Sequence, residues 1–130
     1  MKKIVVIEDE ANVLRLYQRE LIEEGYQVVG ITDGTKALET IEEEQPHLVV
    51  LDVKLNKLDG LQLLREIKAH NRTLPVVLNT AYGTYKGDFK SWLADAYIIK
   101  SSDLRELKET IGQLLVGDQM GDREGSALDA

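Results

Sequence analysis

Cysteine is absent from the 130 residues, which excludes a disulfide framework or thiolate metal site and is compatible with a reducing cytoplasm. Positive charge is in deficit: 16 Lys and Arg stand against 23 Asp and Glu, giving a formal net charge of -7 and a pI near 4.8. Gripping a nucleic-acid backbone needs clustered Lys and Arg, so direct nucleic-acid binding by this domain is not expected. Long apolar runs are missing too. Met1-Lys2-Lys3 leads into the short run Ile4 to Ile7, far too little for a signal-peptide core or a membrane span. A soluble, unprocessed cytoplasmic chain with no membrane attachment is therefore expected. What is present suits one compact domain, because 43% apolar content over this length builds a single core and two full domains would not fit.

Short β-branched runs alternate with stretches of helical period, which predicts βαβ units and a doubly wound parallel sheet of five strands with flanking helices. Strand one is expected over Lys3 to Ile7, strand two over Gln27 to Ile31, and strand three over Leu48 to Leu51. Strand four covers Val76 to Asn79 and strand five Tyr97 to Ile99. A first helix over Asn12 to Glu24 carries Leu14, Tyr17 and Leu21 on one face and stops at Gly25. A second over Thr35 to Glu44 turns Ala37, Leu38 and Ile41 inward and ends at Gln45 and Pro46. Asp59 is the expected N-cap of a third helix that runs to His70 on Leu63, Leu64 and Ile67. Between Thr80 and Tyr97, Gly83 and Gly87 predict a short or mobile fourth helix. In the last helix Asp103 and Glu106 have capping-box spacing, and Leu104, Leu107, Ile111 and Leu114 form the expected stripe up to Gly117. The folded domain is thus placed at 1–117, with 118–130 a disordered acidic tail.

The chemistry-bearing residues follow the strands. Glu8 and Asp9 follow strand one, Asp52 strand three, Thr80 strand four and Lys100 strand five, all at the carboxyl ends where open α/β sheets place their sites. Three acids converging beside one lysine suggest a small divalent-cation site. Each residue also has an ordinary explanation: Asp9 as an N-cap, Asp52 as a loop cap, Thr80 as a β-former and Lys100 as a solvated amine. Their joint arrangement carries the functional reading. His47 precedes strand three and His70 ends the third helix, both expected at the opposite end of the sheet in structural roles.

The segments VVIED at 5–9 with Glu10, VVLDVKLNKLDG at 49–60, NTAYG at 79–83 and AYIIKS at 96–101 resemble the response regulator receiver domain of two-component signalling. The resemblance spans Lys3 to about Val116. It implies the flavodoxin-like, CheY-like (βα)5 fold with strand order 2-1-3-4-5. It further implies Asp52 as phosphoacceptor, with Mg²⁺ held by Asp9, Asp52, the backbone carbonyl of Lys54 and, partly through water, Glu8. Lys100 would balance charge on the phosphoryl group, and Thr80 would bond it while Tyr97 turns inward as the switch. Such a domain is a signalling switch that assists its own phosphotransfer and dephosphorylation, not a turnover enzyme. Its implied partners are a histidine kinase or histidine phosphotransfer protein, a downstream protein target or attached output domain, and a phosphorylation-dependent second copy. Val13, Leu16 and Ser101 are the candidate docking residues, with Leu16 expected exposed and off the buried stripe of the first helix.

Departures from the family pattern carry expectations of their own. Ser101 replaces the usual proline after the lysine, so a trans Lys100–Ser101 bond is expected. The loop at Leu55 and Asn56 lacks a common proline. Lys54 and Tyr82 occupy positions that line the approach of the hydrolytic water, and their bulk predicts a slowly hydrolysed phosphoryl group. Trp92 in the fourth-helix segment should report movement there. Other classes fit less well. An aspartate-nucleophile phosphohydrolase needs a second acid two residues after the first, where Ala11 stands. A flavin carrier needs a phosphate loop that Glu8, Asp9 and Glu10 would repel. A receiver fold used as a constitutive interaction module, unphosphorylated in practice, is the remaining alternative.

Overall fold

The computed structural model describes residues 1–55, 58–81 and 93–116. The elements are β1 Lys3–Ile7, α1 Ala11–Glu23, β2 Gln27–Ile31, a 3-10 turn Gly34–Lys36, α2 Ala37–Glu44 and β3 Leu48–Leu51. They continue with β4 Lys54–Leu55, β5 Leu58–Asp59, α3 Gly60–His70, β6 Val76–Thr80 and β7 Ala96–Ile99, and a C-terminal helix spans 105–116. The main sheet is parallel throughout with order β2-β1-β3-β6-β7, which is the expected order once the tiny β4–β5 hairpin is set aside.

Each face of the sheet has its own apolar cluster. Val5, Ile7, Val49, Leu51, Val76 and Leu78 pack under α2 and α3, while Ile4, Val6, Leu48, Val50, Val77 and Ile98 pack under α1 and the C-terminal helix. Strict alternation of side chains along each strand produces that division. Because both faces are covered, the central strands read as unbroken apolar runs, and all of Leu48–Leu51 is buried.

Helix ends follow local chemistry. Leu14, Tyr17 and Leu21 are the buried stripe of α1. Gly25 at φ 98 closes the helix, with Gly25 N–H donating to the Ile22 carbonyl and Tyr26 N–H to that of Leu21, a Schellman pattern. The second helix starts later than its pattern suggests: Asp33 accepts from Thr35 N–H and holds Gly34–Lys36 in a tighter 3-10 turn. Its end is Gln45 at φ 48, because Pro46 disfavours the right-handed helical region for the residue before it. Asp59 caps α3 as expected, accepting from Leu61 N–H at 2.9 Å.

Two expectations for the last helix are corrected. Asp103 accepts from Arg105 N–H at 3.0 Å, an Asx turn two residues long instead of a box closed on Glu106. The buried stripe is Leu107, Ile111 and Leu115, with Leu104 and Leu114 only partly buried beside it. The expected fourth helix with Gly83, Gly87 and Trp92 lies outside the described residues, as do Tyr82, Asn56 and the proposed tail at 118–130. Among the described residues no helix is long and apolar enough to cross a membrane.

Candidate functional site

The carboxyl ends of β1 and β3 bring the acids together. Glu8 N–H donates to the Ile31 carbonyl and Asp52 N–H to that of Ile7, each at 3.1 Å, so the residues just past both strands are still fixed by the sheet. Carboxylate oxygens of Glu8, Asp9 and Asp52 lie within 4.8 Å of one another. They line a cleft of about 480 Å³ together with Glu10, Val13, Lys54, Leu55, Ala81 and Lys100. The ordinary reading of Asp9 as a cap does not hold, since Glu10 occupies the N-cap position of α1 with no side-chain cap bond.

Lys100 balances this charge. Its Nζ stands 2.9 Å from Asp52 Oδ2 and 2.6 Å from Glu8 Oε1. The bond to Asp52 is well aligned. The contact with Glu8 is an ion pair without hydrogen-bond alignment, which leaves Oε1 a buried oxygen with no aligned donor. Glu8 Oε2 accepts from Glu10 N–H at 3.1 Å, and Asp52 Oδ1 accepts from Lys54 N–H at 3.2 Å. Burial raises the Glu8 pKa above its ordinary value, against the lowering effect of Lys100 and the Glu10 amide. Burial by itself lowers the Lys100 pKa, but the nearby carboxylates of Glu8 and Asp52 outweigh that and raise it.

An under-satisfied buried carboxylate beside two further acids, on a cleft open to solvent, is a donor set suited to a hard divalent cation such as Mg²⁺. Lys54, which lines the cleft, is exposed and begins the β4–β5 hairpin.

The remaining predicted residues fall around this centre. Thr80 is fully buried one residue before Ala81, and its carbonyl accepts from Lys100 N–H at 2.7 Å. Tyr97 is half-buried against the α2–α3 cluster. Ser101 is exposed, and no cis peptide occurs among the described residues, so Lys100–Ser101 is trans. Val13 lines the cleft, but Leu16 is not exposed: it is half-buried against the α1 cluster, because the long side chain lies back along the sheet side of the helix. The exposed large apolar residue of α1 is Ile22. His47 Nδ1 accepts from Lys3 N–H, and His70 Nδ1 contacts the Glu66 carbonyl, both structural and both away from the acids.

Two features escaped the sequence pattern. Asn79 Nδ2 donates to Tyr17 Oη at 2.8 Å inside the α1 cluster, signalled only by an amide ending an apolar strand. Gly60 is packed so closely that a Cβ would meet the carbonyl oxygens of Asp52 and Val53.

The family model of the response regulator receiver domain matches residues 4–112. This chain belongs to the response regulator receiver domain family. The receiver domain is 34% identical over 119 residues to the alkaline phosphatase synthesis transcriptional regulatory protein PhoP of Bacillus subtilis, covering 88% of this chain and 48% of PhoP. It is 28% identical to the sporulation initiation phosphotransferase F of the same organism, covering 88% of this chain and 94% of that protein. Among solved structures it is similar to response regulator TrrA from Thermotoga maritima in complex with Mg²⁺ and BeF, with TM-score 0.85, 38% identity, and coverage of 88% and 99%. A CheY-like receiver domain from Methanospirillum hungatei superposes with TM-score 0.87 at 28% identity, covering 93% and 98%. The receiver domain spans about half the length of PhoP and of the ycf27 regulators that it also matches.

Proposed function

We propose that Asp52 accepts a phosphoryl group from a phosphohistidine of a partner protein and that the domain changes conformation in response. The observation that carries this is the fixing of both Asp52 oxygens, one by Lys54 N–H and one by the Lys100 ammonium, at the floor of the acid cleft. A carboxylate held in one orientation is poised for in-line attack, and phosphoryl transfer is mostly positioning and charge balance. An Asp52 oxygen bonds to phosphorus as the bond to the donor imidazole nitrogen breaks and its electron pair stays on that nitrogen. Lys100 then shifts from neutralising carboxylates to neutralising phosphoryl oxygens. Glu8, Asp9, Asp52 and the Lys54 carbonyl would hold Mg²⁺, which supplies charge neutralisation at the reacting oxygens.

Thr80 is the hydroxyl expected to bond the phosphoryl group, and Tyr97, on the neighbouring strand and paired in register with Leu78, follows it. The complex of TrrA with the histidine kinase ThkA supports a kinase or phosphotransfer protein as donor. A downstream protein or an attached output domain reads the state, by analogy with the transcriptional regulators that the chain half covers.

Acetyl phosphate with Mg²⁺ tests the reading by intact mass. A gain of one phosphoryl group that Asp52→Asn abolishes is the expected result. No gain in the wild type would replace it with the constitutive interaction module.

A further inference from the structure

The sheet face under α1 is apolar at Ile4, Val6, Val50, Val77 and Ile98, yet Asn79 follows Val77 in the same row and bonds Tyr17 Oη at 2.8 Å. Both residues are 3% exposed. Burying two polar groups is costly unless they bond each other, and an apolar pair of equal shape would pack as well. Packing therefore gives no reason for the pair.

Position does. Asn79 directly precedes Thr80, and strand alternation sends the two side chains to opposite faces of one peptide unit. The Thr80 carbonyl is tied to Lys100 N–H. Tyr17 lies one helical turn beyond Val13, which borders the acid cleft. The bond thus joins the strand end that carries the hydroxyl to the helix beside the cleft.

We infer that Tyr17 and Asn79 are positioning residues that couple the state of the Asp52 cleft to the orientation of α1. This rests on the phosphoacceptor reading above. When Thr80 moves toward an occupied Asp52, the 79–80 peptide moves with it. Apolar contacts are non-directional and let a helix slide, but a buried hydrogen bond must either travel intact or strand a donor and an acceptor. Helix α1 therefore follows the strand.

The test uses the ¹⁵N-labelled full chain with beryllofluoride and Mg²⁺ as phosphoryl mimic, and ¹⁹F spectra report occupancy independently. In the wild type, amide shifts at Asp52 and Ala81 are accompanied by shifts across Gln18 to Leu21, a turn beyond the cleft-lining Val13. The double variant Tyr17→Phe/Asn79→Leu removes both polar groups at similar volume, so it keeps the bound ¹⁹F signal and the cleft shifts and loses those in α1. Tyr17→Phe alone gives the same loss and serves if the double variant does not fold. Shifts in α1 of wild-type size in a variant with beryllofluoride bound would overturn the inference, as would their absence in the occupied wild type. Failure of the wild type to bind beryllofluoride at all would instead overturn the phosphoacceptor reading, and this inference with it.

Discussion

Replacing Lys100 with Met removes an ammonium that faces two carboxylates while keeping much of the side-chain volume. At 2.9 Å and 2.6 Å, each ion pair is worth about 6 kcal/mol in an effective dielectric of 20. Desolvation of three charged groups takes back most of that sum. The net cost of stranding buried carboxylates is then about 3–5 kcal/mol, a large share of a small domain's total stability. The loss has a pH signature. Burial already raises the Glu8 pKa, and without Lys100 it rises further. A carboxyl whose folded pKa exceeds its unfolded value favours the fold below the unfolded pKa and loses that contribution as pH rises through the folded one. The deficit of Lys100→Met is therefore largest at neutral pH and shrinks toward pH 5. In the wild type Lys100 stays charged across this range, because its pKa is raised, so the comparison is clean. Urea unfolding of both proteins at pH 7.5 and pH 5, without divalent cations, measures the effect. A deficit under about 1 kcal/mol, or one unchanged between the two pH values, would refute the charge balance described for the cleft.

Three further outcomes follow from the packing and the cleft. Gly60→Ala forces a methyl against the Asp52 and Val53 carbonyls and is expected to cost about 2–3 kcal/mol in thermal unfolding, with loss of acetyl phosphate labelling. Leu115→Ala should cost about 2–4 kcal/mol and Leu114→Ala about 1 kcal/mol, a ranking that unfolding midpoints check directly. Lys54→Ala trims an exposed side chain beside the cleft and is expected to shorten the lifetime of the phosphorylated form, followed by decay of its intact mass.

Much of this was legible in the sequence because backbone period and burial agree. Both faces of the sheet are covered, so four-residue apolar runs such as Leu48–Leu51 are visible as strands, and Leu14, Tyr17 and Leu21 recur at helical spacing. The acids were legible because each directly follows such a run. What failed depended on distances along a surface. Leu16 lies off the stripe by angle but is long enough to reach the cluster, so a helical wheel overstates its exposure. Leu114 and Leu115 flank the direction set by Leu107 and Ile111 on either side, so helical spacing does not decide between them and contact with the sheet does. The Tyr17–Asn79 bond joins residues 62 apart, and no local pattern encodes such a pairing.

The order of strands in the sheet also dictates an order of assembly. Strand β1 pairs with both β2 and β3, so residues 3–51 hold a complete three-stranded unit before β6 and β7 exist. All three acids belong to that unit or its rim, whereas the compensating amine arrives with the final strand, 48 residues after Asp52. A growing chain therefore gathers its anions well ahead of its cation. Pairing of β7 with β6 brings Lys100 against Glu8 and Asp52, so the cluster is charge-balanced only once that strand has joined the sheet.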